Sequence, residues 1–94
     1  MIKSLMVAGH RVKVVHRDLD GEDFGYYAHD AKTIFLDSNL NETDYHTTLR
    51  HELLEASLLL SGVGFCERYE QEAVVRCVDE VFWPAYDRLL KRLS

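Results

Sequence analysis

The sequence predicts a single α+β domain in which a small antiparallel sheet of about three strands packs on two main helices. Three observations lead there. The N-terminal part alternates apolar and charged residues between turn-rich segments, Thr47 to Leu60 is apolar on two sides at helical spacing, and a stretch beginning near Glu67 repeats apolar residues at three- and four-residue steps.

The first strand is expected over His10 to Asp18, "HRVKVVHRD", where Val12 and Val14 alternate with charged neighbours. Gly9 bounds it on one side and the turn-rich "DLDGED" on the other. Two short strands follow, Gly25 to His29 and Thr33 to Leu36, joined tightly through Asp30, Ala31 and Lys32. The three form an antiparallel meander.

The first helix should start in "NLNETDY", with Asn41 or Thr43 as its cap and Glu42 and Asp44 complementing the positive end of the helix dipole. Gly62 and Gly64 supply the positive backbone angles that end it. The second helix should run from about Glu67 towards Leu93, its apolar face made by Val74, Val78, Val81 and Ala85. Pro84 lacks a backbone N–H, so a kink or break is expected near Trp83.

Composition narrows the function classes. The chain has 94 residues, 47% of them hydrophobic, enough apolar content for one folded domain with one site. Its net charge of −5 gives no overall electrostatic attraction for phosphate backbones or anionic lipid, so nucleic acid and membrane are not expected as partners and a protein or peptide is. No run approaches the ~20 apolar residues of a membrane span and no secretory leader is visible, which predicts a cytoplasmic protein. Cys66 and Cys77 lack C-x-x-C spacing; Cys77 reads as a core residue and Cys66 as a loop residue.

Three ionisable groups interrupt the first helix: His51, Glu52 and Glu55 in "HELLE". Stepping about 100° per residue puts His51, Glu55, Thr48 and Leu58 on one side and Leu49, Leu53, Ala56 and Leu60 on the other. A helix with two apolar faces is sandwiched, here between the strands and the second helix, and a polar group buried in it needs a partner. A metal ion is one partner that fits, because residues four apart present two ligands on the same edge of a helix. A further ligand must come from elsewhere. Against the apolar face of the second helix, Glu70 and then Glu67 fall inward, Glu72 points to solvent, and Gln71 lies at the edge, where it could orient a ligand.

The runs "TIFLDSNLNETDYHTTLRHELLEA" and "YEQEAVVRCVDEVFWP" resemble the minimal zincin domain of ImmA/IrrE-type metallopeptidases, which are common in phages and mobile elements. The resemblance covers residues 26 to 84 and implies a zincin-like fold in which a short sheet precedes a helix bearing H-E-x-x-H. A following helix then supplies another ligand from an E-x-x-A pattern, matched here by "EQEA", Glu70 to Ala73. Carried over, it implies a zinc-dependent hydrolase with His51 and Glu70 as metal ligands and Glu52 as general base. The departure is Glu55, which stands where the family has its second histidine. An oxygen ligand there keeps a metal site feasible while adding negative charge, and admits manganese or iron beside zinc. The resemblance thus implies a metal-binding protein with peptidase chemistry, or else a catalytically degenerate zincin scaffold serving as a phage or prophage protein-binding module.

Overall fold

The computed structural model describes residues 2–62, 68–84, 87 and 91. The expectations for Gly64, Cys66, Glu67, Ala85 and the C-terminal leucines lie outside the described residues.

Alternation in the N-terminal segment builds a four-stranded sheet, β1 (Ser4–Val7), β2 (His10–Arg17), β3 (Gly25–Ala28) and β4 (Thr33–Asp37). Ala8 and Gly9, both with positive φ, make the tight turn that returns β1 onto β2. Two successive left-handed residues match the twist of a hairpin. The strand before His10 is one more than expected.

The order β1-β2-β4-β3 also corrects the expected meander. β4 runs parallel to β2, with Val14 opposite Ile34, and antiparallel to β3, with Tyr27 opposite Ile34. After β2 the chain moves to the far edge, lays down β3, and turns back into the gap. As the central strand of that side, β4 is buried along almost its whole length, and it carries the fully buried Ile34 and Leu36. The sheet is therefore mixed, with β1 and β3 at its edges.

One sheet face carries Val7, Val12, Val14, Ile34 and Leu36, and α1 (Glu42–Leu60) lies on it through Leu49, Leu53 and Leu60. Asn41 caps α1, its Oδ1 accepting from the Asp44 N–H at 2.8 Å. Gly62, with φ of 88°, follows its end. Thr48, Glu52 and Ala56, four residues apart, form the buried stripe of the helix.

The second helix, α2 (Arg68–Cys77), packs on α1 and continues as a π-helical turn, Val78–Phe82, just before Pro84. The expected irregularity is present, as a widened turn in which the Trp83 N–H reaches Val78 O. Proline crowds the carbonyl four residues back, and an i→i−5 turn relieves that crowding.

The orientation of α2 differs from the expected one. Val75 is buried, whereas Val74 is 43% and Val81 62% exposed, and Cys77 is exposed and not in the core. Val75, Asp79 and Trp83, each four residues apart, point inward, Asp79 and Trp83 half-buried; of the expected face, Val78 is also half-buried. Both stripes have helical spacing, and packing on α1 selected the more polar one. No helix among the described residues is long and apolar enough to cross a membrane.

Candidate metal site

The site is built where α1 faces both β3 and the π-helical turn. Gly25 opens β3 in close contact with α1: a Cβ there would meet Phe35 O at 2.6 Å and Thr48 Cγ2 at 2.9 Å. That approach brings β3 against the helix one turn before Glu52. Phe24 and Asp37 are a hydrogen-bonded ladder pair, so the alternation of an antiparallel ladder turns the Tyr27 N–H away from β4, to the open edge. There it donates to the Glu52 carboxyl, which gives the edge strand one of its missing partners.

Glu52 is only 6% exposed, and its Oε1 has no hydrogen-bond partner among the described residues. Burial is the main reason its carboxyl is pushed up to about 9. A hydrogen bond shared with Glu55 and the charges of Glu55 and Asp79 push in the same direction, and the Tyr27 N–H opposes them. Two carboxyl groups can share a hydrogen bond only through a proton, which agrees with a neutral Glu52 in the absence of a cation.

His51 and Glu55, one turn apart on α1, are both half-buried, with Nε2 and Oε2 3.8 Å apart. The other imidazole nitrogen, Nδ1, contacts Asp79 Oδ2 from the π-helical turn. The potential ligand atoms of His51, Glu52 and Glu55 lie within 4.8 Å of one another. Two clefts flank the group, and His51 and Asp79 line both. One, of about 330 Å³, also has Glu55, Gln71, Glu72 and Arg76 in its walls. The other, of about 360 Å³, lies towards Phe24, Gly25, Thr47 and Arg50. Arg50 is held by Asp87 at 3.3 Å and lies over the Trp83 ring at 5.2 Å.

The residues fit a divalent cation. Bonds of about 2.0–2.2 Å allow two ligands on one ion to be at most roughly 4.2 Å apart, and 3.8 Å between His51 Nε2 and Glu55 Oε2 lies inside that limit. A ligating imidazole ordinarily gives its other nitrogen to a carboxylate, the relation of His51 Nδ1 to Asp79. The buried, unpartnered Glu52 Oε1 beside them is the kind of oxygen that a cation or its bound water would satisfy.

Of the expected site residues, His51, Glu52 and Glu55 come together. Glu70 does not join them: it is exposed and lines neither cleft. Asp79, nine residues further along the chain, takes the place beside His51. Glu72, expected to point to solvent, is exposed but lies in the wall of the first cleft, and Gln71 is half-buried beside it. His46 is exposed and His16 is engaged with the Tyr45 hydroxyl at 2.8 Å, both away from the cluster. The signal for Asp79 was its four-residue spacing from Val75, overshadowed by the more apolar valine stripe. No family model, curated protein or solved structure matches the chain.

Proposed function

We propose that this is a zincin-like metal-binding protein whose site is organised for metal-dependent peptide hydrolysis. His51 and Glu55 would supply two of the ligands to the ion, Asp79 would fix the imidazole from its far side, and Glu52 would be the general base. The observation that carries this reading is the buried, unpartnered Glu52 Oε1 within the cluster of His51, Glu55 and Asp79, an anionic arrangement suited to a cation.

A bound divalent ion supplies Lewis acidity, polarising a peptide carbonyl and lowering the pKa of water. Glu52 accepts a proton from the attacking water and passes it to the leaving amine. Its burial against β3 keeps the carboxyl oriented, and the Tyr27 N–H fixes one edge of it. The second cleft, beside the outer edge of β3, gives an extended peptide access to the same groups. Zinc, manganese and iron are all compatible with one imidazole nitrogen and one carboxylate oxygen from the chain.

One observation favours a second reading, a degenerate zincin scaffold acting as a phage or prophage protein-binding module. Asp79 already engages His51, and a neutral Glu52 shares its proton with Glu55, so the polar groups can form a network without an ion. Elemental analysis of the purified protein, with calorimetric titration of zinc and manganese into the native chain and His51→Ala, separates the two. Near-stoichiometric metal that is lost on substitution is the expected result. Equal absence of binding in both proteins overturns the metal reading and leaves the module.

A further inference from the structure

The sheet has a second face, and α1 does not cover it. Alternation along β2 sends Val12 and Val14 towards the helix and Arg11, Lys13 and Arg17 to the opposite side, where all three are exposed. Met6 of β1, opposite Arg11, is 59% exposed on this face. Among the described residues, α1 makes the main helix contacts of the sheet, with β1, β3 and β4.

Tyr26 of β3 and Phe35 of β4 stack at the middle of this surface, with centroids 4.8 Å apart and planes inclined by 25°. The Arg17 guanidinium lies 4.4 Å from the Phe35 centroid and donates to the Tyr26 hydroxyl at 2.8 Å. Phe35 is thus packed against Tyr26 and under the guanidinium, and the exposed Tyr26 ring and Arg17 guanidinium are the π-surfaces of this face, beside two further cations. Asp37 is the acidic strand residue on the same side, and it is buried, accepting from the Asn39 N–H and Nδ2. The exposed charge on the strands of this face is positive, in a chain whose net charge is −5.

We propose that the exposed face formed by Arg11, Lys13, Arg17, Tyr26 and Phe35 binds single-stranded nucleic acid. Cations along one strand answer phosphates, and flat π-faces accept unpaired bases without regard to sequence. An acidic peptide would use the cations and leave the aromatic platform without a role. Duplex is disfavoured because its bases are stacked and paired, which keeps their faces from the aromatic ring. The expectation against nucleic acid rested on net charge, which averages over faces that a strand's alternation separates. The surface is independent of the His51 cluster, on the other side of the sheet.

The test is fluorescence anisotropy with a labelled oligothymidylate of about 12 nucleotides, within the range of sites on such platforms. Three phosphate contacts predict a slope of about −2 in log K against log salt, hence a roughly 20-fold loss of affinity between 50 and 200 mM salt. Replacing Arg11, Lys13 and Arg17 together by Gln should abolish binding and the salt dependence. The exposed Tyr26→Leu should lower affinity about fivefold or more with the slope retained. Circular dichroism checks that each variant is folded. Absence of saturable binding at 50 mM salt, or binding unchanged in the triple variant, overturns the proposal. Competition by polyglutamate as effective as by unlabelled oligonucleotide, together with unchanged binding by Tyr26→Leu, also overturns it and assigns the face to an acidic peptide.

Discussion

His51 on α1 and Asp79 on the π-helical turn meet Nδ1 to Oδ2, so the acid beside the imidazole comes from the widened turn before Pro84 and not from the first turn of α2. The irregularity that proline imposes on the backbone is thus tied directly to the site. Asp79→Ala should weaken zinc binding by about 10- to 100-fold, the usual effect of removing a carboxylate that orients a ligating histidine. Glu70→Ala should change it less than about twofold, because Glu70 is exposed and outside the clefts. Calorimetric titration of the two variants side by side checks both statements.

The raised pKa of Glu52 makes a prediction for the metal-free protein. A carboxyl near 4.5 in the unfolded chain and about 9 in the folded one binds its proton more tightly when folded. Its contribution is therefore fully present below the unfolded value and is lost as pH rises towards and through the folded one. In chelator, the native chain should lose stability between about pH 5 and pH 9, and Glu52→Gln should lose much less. Urea unfolding at a series of pH values measures the difference between the two slopes.

Helical phase gives a prediction about packing. Val75 is 6% exposed and Val81 62%, although both belong to apolar repeats of the same stretch. Val75→Ala should cost about 2 kcal/mol, from lost burial and the cavity left behind. Val81→Ala should stay within about 0.5 kcal/mol. Denaturant midpoints at constant m-value decide between the two orientations of α2.

Strand and helix positions were readable because period and turn chemistry are local: Asn41, one of the two expected caps, caps α1, and β2, β3 and β4 lie where alternation placed them. The order of strands was not readable. Whether Ile34 sits beside Val14 or only beside Tyr27 depends on where the chain returns after the loop 18–24, and alternation is the same in either arrangement. Glu52 and His51 were found because they interrupt an apolar helix. Asp79 was missed because valine spacing argued for another face, and that choice is made by packing against α1.

Gly25 is the backbone contact that sets β3 against α1. A methyl group there would lie 2.6 Å from Phe35 O and 3.0 Å from Leu36 Cδ2, and backbone oxygen yields little. Gly25→Ala should destabilise the fold by about 1–3 kcal/mol through overpacking. It should also shift β3 away from Glu52, so the loss of metal affinity should exceed that of an equally destabilised core variant such as Val75→Ala. Urea unfolding and zinc titration of both variants test the two effects separately.

In the proposed zincin-like reading Glu55 stands in the place of a second histidine, and substituting it is the sharpest test of the site geometry. Its Oε2 is 3.8 Å from His51 Nε2, so an imidazole at the same position of α1 can approach the same ion. Glu55→His exchanges an anionic oxygen ligand for a neutral nitrogen and removes one of the charges that hold Glu52 protonated. Zinc affinity should rise about tenfold or more, and hydrolysis of a fluorogenic casein should increase, because a less anionic ligand set leaves the metal a stronger Lewis acid. The added activity should vanish in Glu55→His combined with Glu52→Gln, which retains ligands and fold but lacks the base. A Glu55→His protein that binds zinc no better than the native chain would show that α1 does not present these positions in zincin geometry.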